Sequence, residues 1–161
     1  MLLGLQSIDV TAAVAQDRII LWHVNESWNG AKAAEMYAKL GAALRATWGN
    51  KRAFRVVEDG DTKGFQSNKG KCATEEQRIE SWMLSPRTPG LMPLDFSLWN
   101  EIERRALACN IGRAETSEQF AARLRRTALA LPSDIVVRRL AKMKDNIRAI
   151  VASKGKHTHL D

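Results

Sequence analysis

An α/β fold with a mixed sheet is predicted by three features of the chain. Two short apolar runs, DVTAAVA (9–15) and RIILWHV (18–24), are split only by Gln16 and Asp17 and read as an antiparallel hairpin. Strand-length apolar runs then alternate with segments of helical period, which implies parallel crossovers. Three helical segments in a row close the chain. The order β-β-α-β-α-β followed by three helices combines the hairpin with crossover connections, and that combination defines the class.

The elements follow in order. After the hairpin, Ala31, Ala34, Met36, Leu40, Leu44 and Trp48 fall near helical spacing in an alanine-rich stretch, so a helix is predicted over 30–48, with Gly49 just past its end. AFRVVE (53–58) reads as a strand, and 60–73 as a loop. ATEEQRIESW (73–82) fits a short helix and WMLSP (82–86) a strand ended by Pro86. PRTPGLMP holds three prolines and must turn irregularly. Leu94, Leu98, Ile102 and Leu107 then mark a helix over 94–110. TSEQ (116–119) has the form of a capping box and opens a helix to about Leu131. Ser133 is the expected N-cap of a last helix that stops at Gly155.

The 161 residues suit one domain, and 45% apolar content is enough for a core. No apolar run reaches the ~18–20 residues of a membrane span, and MLLGLQSIDV lacks the basic lead and cleavage site of a signal peptide. Cys72 and Cys109 show no metal-ligand spacing and suit a reduced, intracellular protein. Net charge is +7. Residues 1–102 hold 12 basic and 12 acidic side chains, whereas 103–161 hold 13 and 6, so the C-terminal third carries the excess. That is either a surface facing a polyanion or a solvated helical exterior.

The chemistry centres on FRVVEDGDTKGFQSNKGK (54–71), where an apolar strand runs into Glu58, Asp59 and Asp61 and then a lysine-bearing loop. Carboxylates at the carboxyl ends of neighbouring strands hold hard divalent cations such as Mg²⁺, and two such ions can clamp both oxygens of a phosphodiester displacement. Asp59 follows the 53–58 strand, and Asp95 begins the 94–110 helix after the next strand and its proline turn. Were the two strands neighbours, both acids would enter one site. Each also has a plain structural reading, as a turn cap or as a charge favouring a helix N-terminus.

These segments resemble mariner-like transposases of the DDE/D superfamily. VVEDGDTKGFQS is similar to that family's second-aspartate segment, D-N-D-P-K-H-T-S. SPRTPGLMPLDFSLWNEIERR resembles its third-acid segment, P-x-S-P-D-L-x-P-x-[D/E]-x-x-L-[W/F], with Pro86, Thr88, Pro89, Leu91, Pro93, Asp95, Leu98 and Trp99 in place. The hairpin, the helix bearing Tyr37 and the tail RAIVASKGKHTHL are similar to the remaining family segments, so the likeness covers nearly the whole chain.

The resemblance implies a single partial catalytic domain over 1–161, with 111–161 as its basic C-terminal helices. Its fold would be a ribonuclease H-like mixed sheet with flanking helices, lacking the first, central strand. The implied activity is metal-dependent cleavage and strand transfer of DNA, as in mobile elements. Asp59 and Asp95 would be catalytic and would bind Mg²⁺ or Mn²⁺ in a two-ion site. Lys63, Lys69, Lys71, Arg87, Arg104 and Arg105 would meet DNA, and self-association and a nuclear location are further implications. The sequence departs from the pattern at Gly60, where the family has Asn, and at Gly64, where it has His. The first acid is missing: only eight residues precede DVTAAVA, and Asp9 would begin the second strand. MLLGLQS partly fills the first strand's place, or the flanking strands pair directly, or the chain is a fragment of a longer one. Two functions follow: a transposase-type endonuclease, incomplete and weak or inactive alone, or a catalytically dead nucleic-acid-binding or protein-interaction module. The five tryptophans and His23 read as packing residues, and Arg123, Arg125, Arg126, Arg138 and Arg139 as an exterior that could line a DNA surface.

Overall fold

The computed structural model describes residues 9–25, 27–50, 53–58, 61–84, 89–109 and 115–154. Strands β1 (Asp9–Ala15) and β2 (Arg18–Asn25) form the expected antiparallel hairpin. Gln16 takes a left-handed conformation, φ 54°, in the two-residue turn. Ala13 pairs with Leu21 and Val14 with Ile19, so Ile20 is an extra residue in β2. This bulge breaks the strict alternation of faces. Ile20 and Leu21 both join one core, while Ile19 and Trp22 join the other.

Helix α1 (Gly30–Trp48) matches its predicted span. Asn29 caps it by accepting from the Ala31 and Lys32 N–H groups, and Gly49 ends it at φ 83°. β3 (Phe54–Glu58) follows. Helix α2 (Asn68–Gln77) begins well before the predicted helix, and β4 (Ile79–Met83) before the predicted strand. Ser67 is the reason: its hydroxyl accepts from the Gly70 N–H and starts the helix inside the stretch expected to be a loop. Arg78, left-handed at φ 54°, stops it and turns the chain directly into β4.

β3 and β4 pair in parallel, Phe54 with Ile79 through Glu58 with Met83. Among the described residues the sheet is two separate pairs, β1–β2 and β3–β4. A short 3₁₀ turn (Pro89–Leu91) and a π-helical segment (Leu94–Leu98) lead into α3 (Trp99–Ala108). Helix α4 (Ser117–Leu129) has both bonds of the predicted capping box, between Thr116 and Gln119. Helix α5 (Ser133–Ala152) departs in one detail: Pro132 holds the N-cap position without a side-chain bond, and Ser133 is the first helical residue.

Two apolar cores cover opposite faces of the hairpin. One packs α1 and α2 beneath it through Leu21, Met36, Tyr37, Leu40, Leu44 and Ile79. The other packs α3, α4 and α5 above it through Ile19, Leu94, Leu98, Ile102 and Val136. Alternate residues of β1 divide between them, Ala12 and Val14 above and Ala13 below. Trp22, Trp28, Trp48 and Trp99 pack against these cores as expected. Trp82 does not: it is 53% exposed on the outer face of β4, with the Arg55 guanidinium 5.2 Å from its ring centre.

Candidate active site

The parallel pairing of β3 and β4 fulfils the condition on which a shared acidic site depended, because the carboxyl ends of the two strands lie side by side. The Leu84 N–H extends the ladder by donating to the Glu58 carbonyl at 3.0 Å. Asp59 follows at once, but it lies outside the described residues, as do Gly60 and Arg87. Asp95 is exposed at the second position of the π-helical segment. Its N–H donates to the Met92 carbonyl at 3.0 Å, and its Oδ1 accepts from Trp99 Nε1 at 3.2 Å. The backbone before it is fixed from α5, where buried Asn146 donates to the Gly90 carbonyl at 2.6 Å. Glu58 and Asp95 line one cavity of about 480 Å³ between the hairpin and β3.

The other two acids of the 58–61 cluster are committed to protein partners. Glu58 is buried and accepts from the Tyr37 hydroxyl and, at 2.7 Å, from Ser81 Oγ. Burial pushes its carboxyl above the usual range even against these two donors. Burial, and then the hydrogen bond to Glu58, push the Tyr37 phenol far upward, so it stays a donor. Asp61 organises the following turn. It accepts from Trp28 Nε1 at 2.6 Å and from the N–H groups of Lys63, Gly64 and Phe65 at 3.1, 2.7 and 3.1 Å. Burial alone would raise its pKa, but the indole and the three backbone donors outweigh it and hold the carboxyl low.

Gly64 explains one departure from the family pattern. A Cβ built there would stand 2.4 Å from Trp28 Cε2 and Nε1. The indole occupies the space that a side chain at this position would need, so no histidine fits without displacing Trp28. The lysine-rich stretch is therefore a wound turn followed by a helix. Lys63 is exposed on the turn, and Lys69 and Lys71 are exposed on the first turn of α2.

Arg104 and Arg105 lie on α3 and share the Glu101 carboxylate at 2.8 and 2.5 Å. They line a second cavity, between α3 and α4, and not the one that Asp95 lines. Arg123 is not part of an exterior. It is 9% exposed, pairs with Glu115 and donates to the Ala106 carbonyl, tying α4 to α3. His23 is half-buried with its Nδ1 3.4 Å from Lys39 Nζ; burial, and then that ammonium, lower its pKa.

A two-ion site needs several carboxylate oxygens turned toward one point. Among the described residues no three His, Cys, Asp or Glu side chains are grouped to hold a metal ion. With Glu58 and Asp61 taken by their own donors, the described residues do not make up a two-ion ligand set. Nor is any described helix long and apolar enough to cross a membrane. Sequence reasoning missed the Tyr37–Glu58–Ser81 group and the Asn146 tether. Both join residues far apart in the chain, and no local pattern signals them.

No protein-family model matches the chain, and no curated protein matches it. Solved structures do. The catalytic domain of the Mos1 mariner transposase aligns with a TM-score of 0.74 and 20% identity, over 94% of this chain and 82% of that one. The Mos1 catalytic domain with raltegravir and Mg aligns at 0.77 and 22%, over 94% and 77%. The Mos1 strand transfer complex aligns at 0.78 and 19%, over 94% of this chain but 44% of that one, so the chain spans less than half of that longer protein. The shared architecture is mixed α/β: this chain has the ribonuclease H-like fold of a mariner transposase catalytic domain.

Proposed function

We propose that the chain is a transposase-type DNA-processing domain, a single partial catalytic domain with 111–161 as its basic C-terminal helices. The observation that carries this reading is the convergence of Asp95 and the carboxyl end of β3 on one cavity, within a fold shared with Mos1 over 94% of the chain. Asp59 and Asp95 are the acids assigned to a divalent cation, Mg²⁺ or Mn²⁺. Strand cleavage that depends on such an ion is the activity this assignment expects. Lys63, Lys69, Lys71, Arg87, Arg104 and Arg105 are assigned to phosphate contacts, which raise affinity without reading sequence. Mos1 has been solved in paired-end assemblies with transposon ends, and DNA binding with self-association is the corresponding proposal here. A nuclear location belongs to the same reading.

A second reading is a DNA-binding module without catalysis. It is favoured by the commitment of Glu58 and Asp61 to protein donors. One experiment separates the two. DNA retention is measured against salt, and nicking is measured with Mg²⁺ or Mn²⁺ for the natural chain, Asp59→Asn and Asp95→Asn. Both readings expect retention that falls steeply as salt rises, with log affinity dropping by about 0.9 per phosphate contact for each unit of log salt. Metal-dependent nicking lost in both variants supports the first; retention with no nicking under either metal supports the second. Nicking that survives both substitutions would falsify the acid assignment, and failure to retain DNA at low salt removes both readings.

A further inference from the structure

The cavity between α3 and α4 has a volume of about 790 Å³, and every charged residue that lines it is an arginine: Arg104 and Arg105 from α3, Arg123 and Arg126 from α4. It shares no lining residue with the cavity of Asp95. The four guanidiniums are unequally occupied. Arg123, 9% exposed, spends three N–H groups on Glu115 and the Ala106 carbonyl, of the five that a guanidinium carries. Arg104 and Arg105 share one carboxylate, that of Glu101. Arg126 is exposed, and its guanidinium has no partner among the described residues. Thr127 adds a hydroxyl to the lining. Cations near helix ends are ordinarily explained by the macrodipole, about half a charge at each C-terminus. α3 ends at Ala108 and α4 at Leu129, so the two ends offset about one positive charge. Glu101 and Glu115 offset two more. Of the four arginines, about one charge is left without a counter-charge.

We infer that the α3–α4 groove is a phosphate-binding pocket, separate from the Asp95 cavity, with exposed Arg104 and Arg126 as its principal contacts. Like charges gathered along one groove repel one another, and an anion seated among them relieves that repulsion. A guanidinium presents a planar fork that matches the oxygens of a phosphate, where an ammonium acts only as a point charge. The phosphate is either a link of a nucleic-acid backbone or a free phosphate ion. In the first case the inference rests on the DNA reading above and extends it. Trp99 of α3 lines the Asp95 cavity and Arg105 lines the groove, six residues of helical rise, or about 9 Å, further along the same helix. One backbone can therefore reach both. In the second case the pocket does not depend on the chain's processing DNA.

Amide NMR on the full chain, with inorganic phosphate titrated at constant ionic strength, tests the pocket without metal or DNA. Saturable shifts are expected at 104–109 and 123–130. An Arg104→Gln, Arg126→Gln double variant should weaken that binding on the order of 10-fold or more. An Arg18→Gln, Lys32→Gln double variant removes the same charge from the hairpin turn and α1, and should leave the binding unchanged. No saturable shift in these stretches of the natural chain overturns the pocket, whether or not the variants fold. Equal weakening by both pairs also overturns it, because the attraction is then to net charge alone. A short DNA duplex identifies the source. Shifts of the same amides, reversed by phosphate, support a backbone link as the ligand. Duplex binding that leaves these amides unmoved supports a free phosphate, and the DNA reading stands. Phosphate binding with no retention of duplex at low salt supports the pocket and removes only the DNA reading.

Discussion

At the scale of single residues, the acids after β3 divide by what they already hold. Asp61 is spent on the turn, and removing it should show as lost stability. Asp61→Ala strips acceptors from Trp28 Nε1 and three backbone N–H groups. Hydrogen bonds to a charged group contribute about 1.5–3 kcal/mol each, partly recovered by water at a half-exposed site. A loss on the order of 3 kcal/mol is expected in a urea titration, and an unchanged midpoint would refute the role given to Asp61. Glu58 should leave a pH signature of opposite sign from an ordinary carboxylate. Its folded pKa lies above the unbound value of 4.5, so its contribution is fully present below that value and is lost as pH rises through the folded pKa. Glu58→Gln should flatten the fall in stability that sets in as pH rises above about 4.5. Equal slopes in the two proteins would show that Glu58 titrates normally.

At the scale of elements, α3 and α4 are joined by a buried cation. Arg123 reaches Glu115 and the Ala106 carbonyl from a site 9% exposed. Removing one member of a buried pair costs about 3–5 kcal/mol, because the partner is left without its counter-charge. Arg123→Ala should therefore lower stability by about 3 kcal/mol or more, whereas Arg138→Ala, which breaks a surface pair with Asp134, should cost less than ~1 kcal/mol. Comparable midpoints for the two would remove the distinction. The hairpin, α1, β3 and the Thr116 capping box were legible in the sequence because each depends on local period or a local cap. The α2–β4 stretch was displaced because Asn68 and Gly70 in the first turn of α2 are weak helix formers; at Gly70 a Cβ would stand 2.5 Å from the Gly64 carbonyl oxygen, so close packing favours glycine there. The exterior role expected for Arg123 failed for a related reason: nothing in RLRR tells which arginine turns inward.

At the scale of the whole molecule, the order of elements and the spacing of Asp59 and Asp95 pointed to the architecture, and the paired carboxyl ends of β3 and β4 agree with it. The interior of the candidate site was much less legible. Which acids are consumed by Trp28, Tyr37 and Ser81 is decided by contacts across 21 to 33 positions of chain.

The separation of the described strands into two pairs also bears on how the chain acquires its shape. The hairpin closes over the two-residue turn Gln16–Asp17, and β3 meets β4 across 25 positions, Phe54 to Ile79. Short closures are fast, with a hairpin forming in about 1–10 μs, while joining the two pairs requires α1 and the C-terminal helices to assemble around them. The late step of folding should then be the meeting of two preformed halves. Pulse-labelled refolding should find protection in the β1–β2 and β3–β4 ladders before it appears in α5; simultaneous protection everywhere would mean that neither half forms by itself.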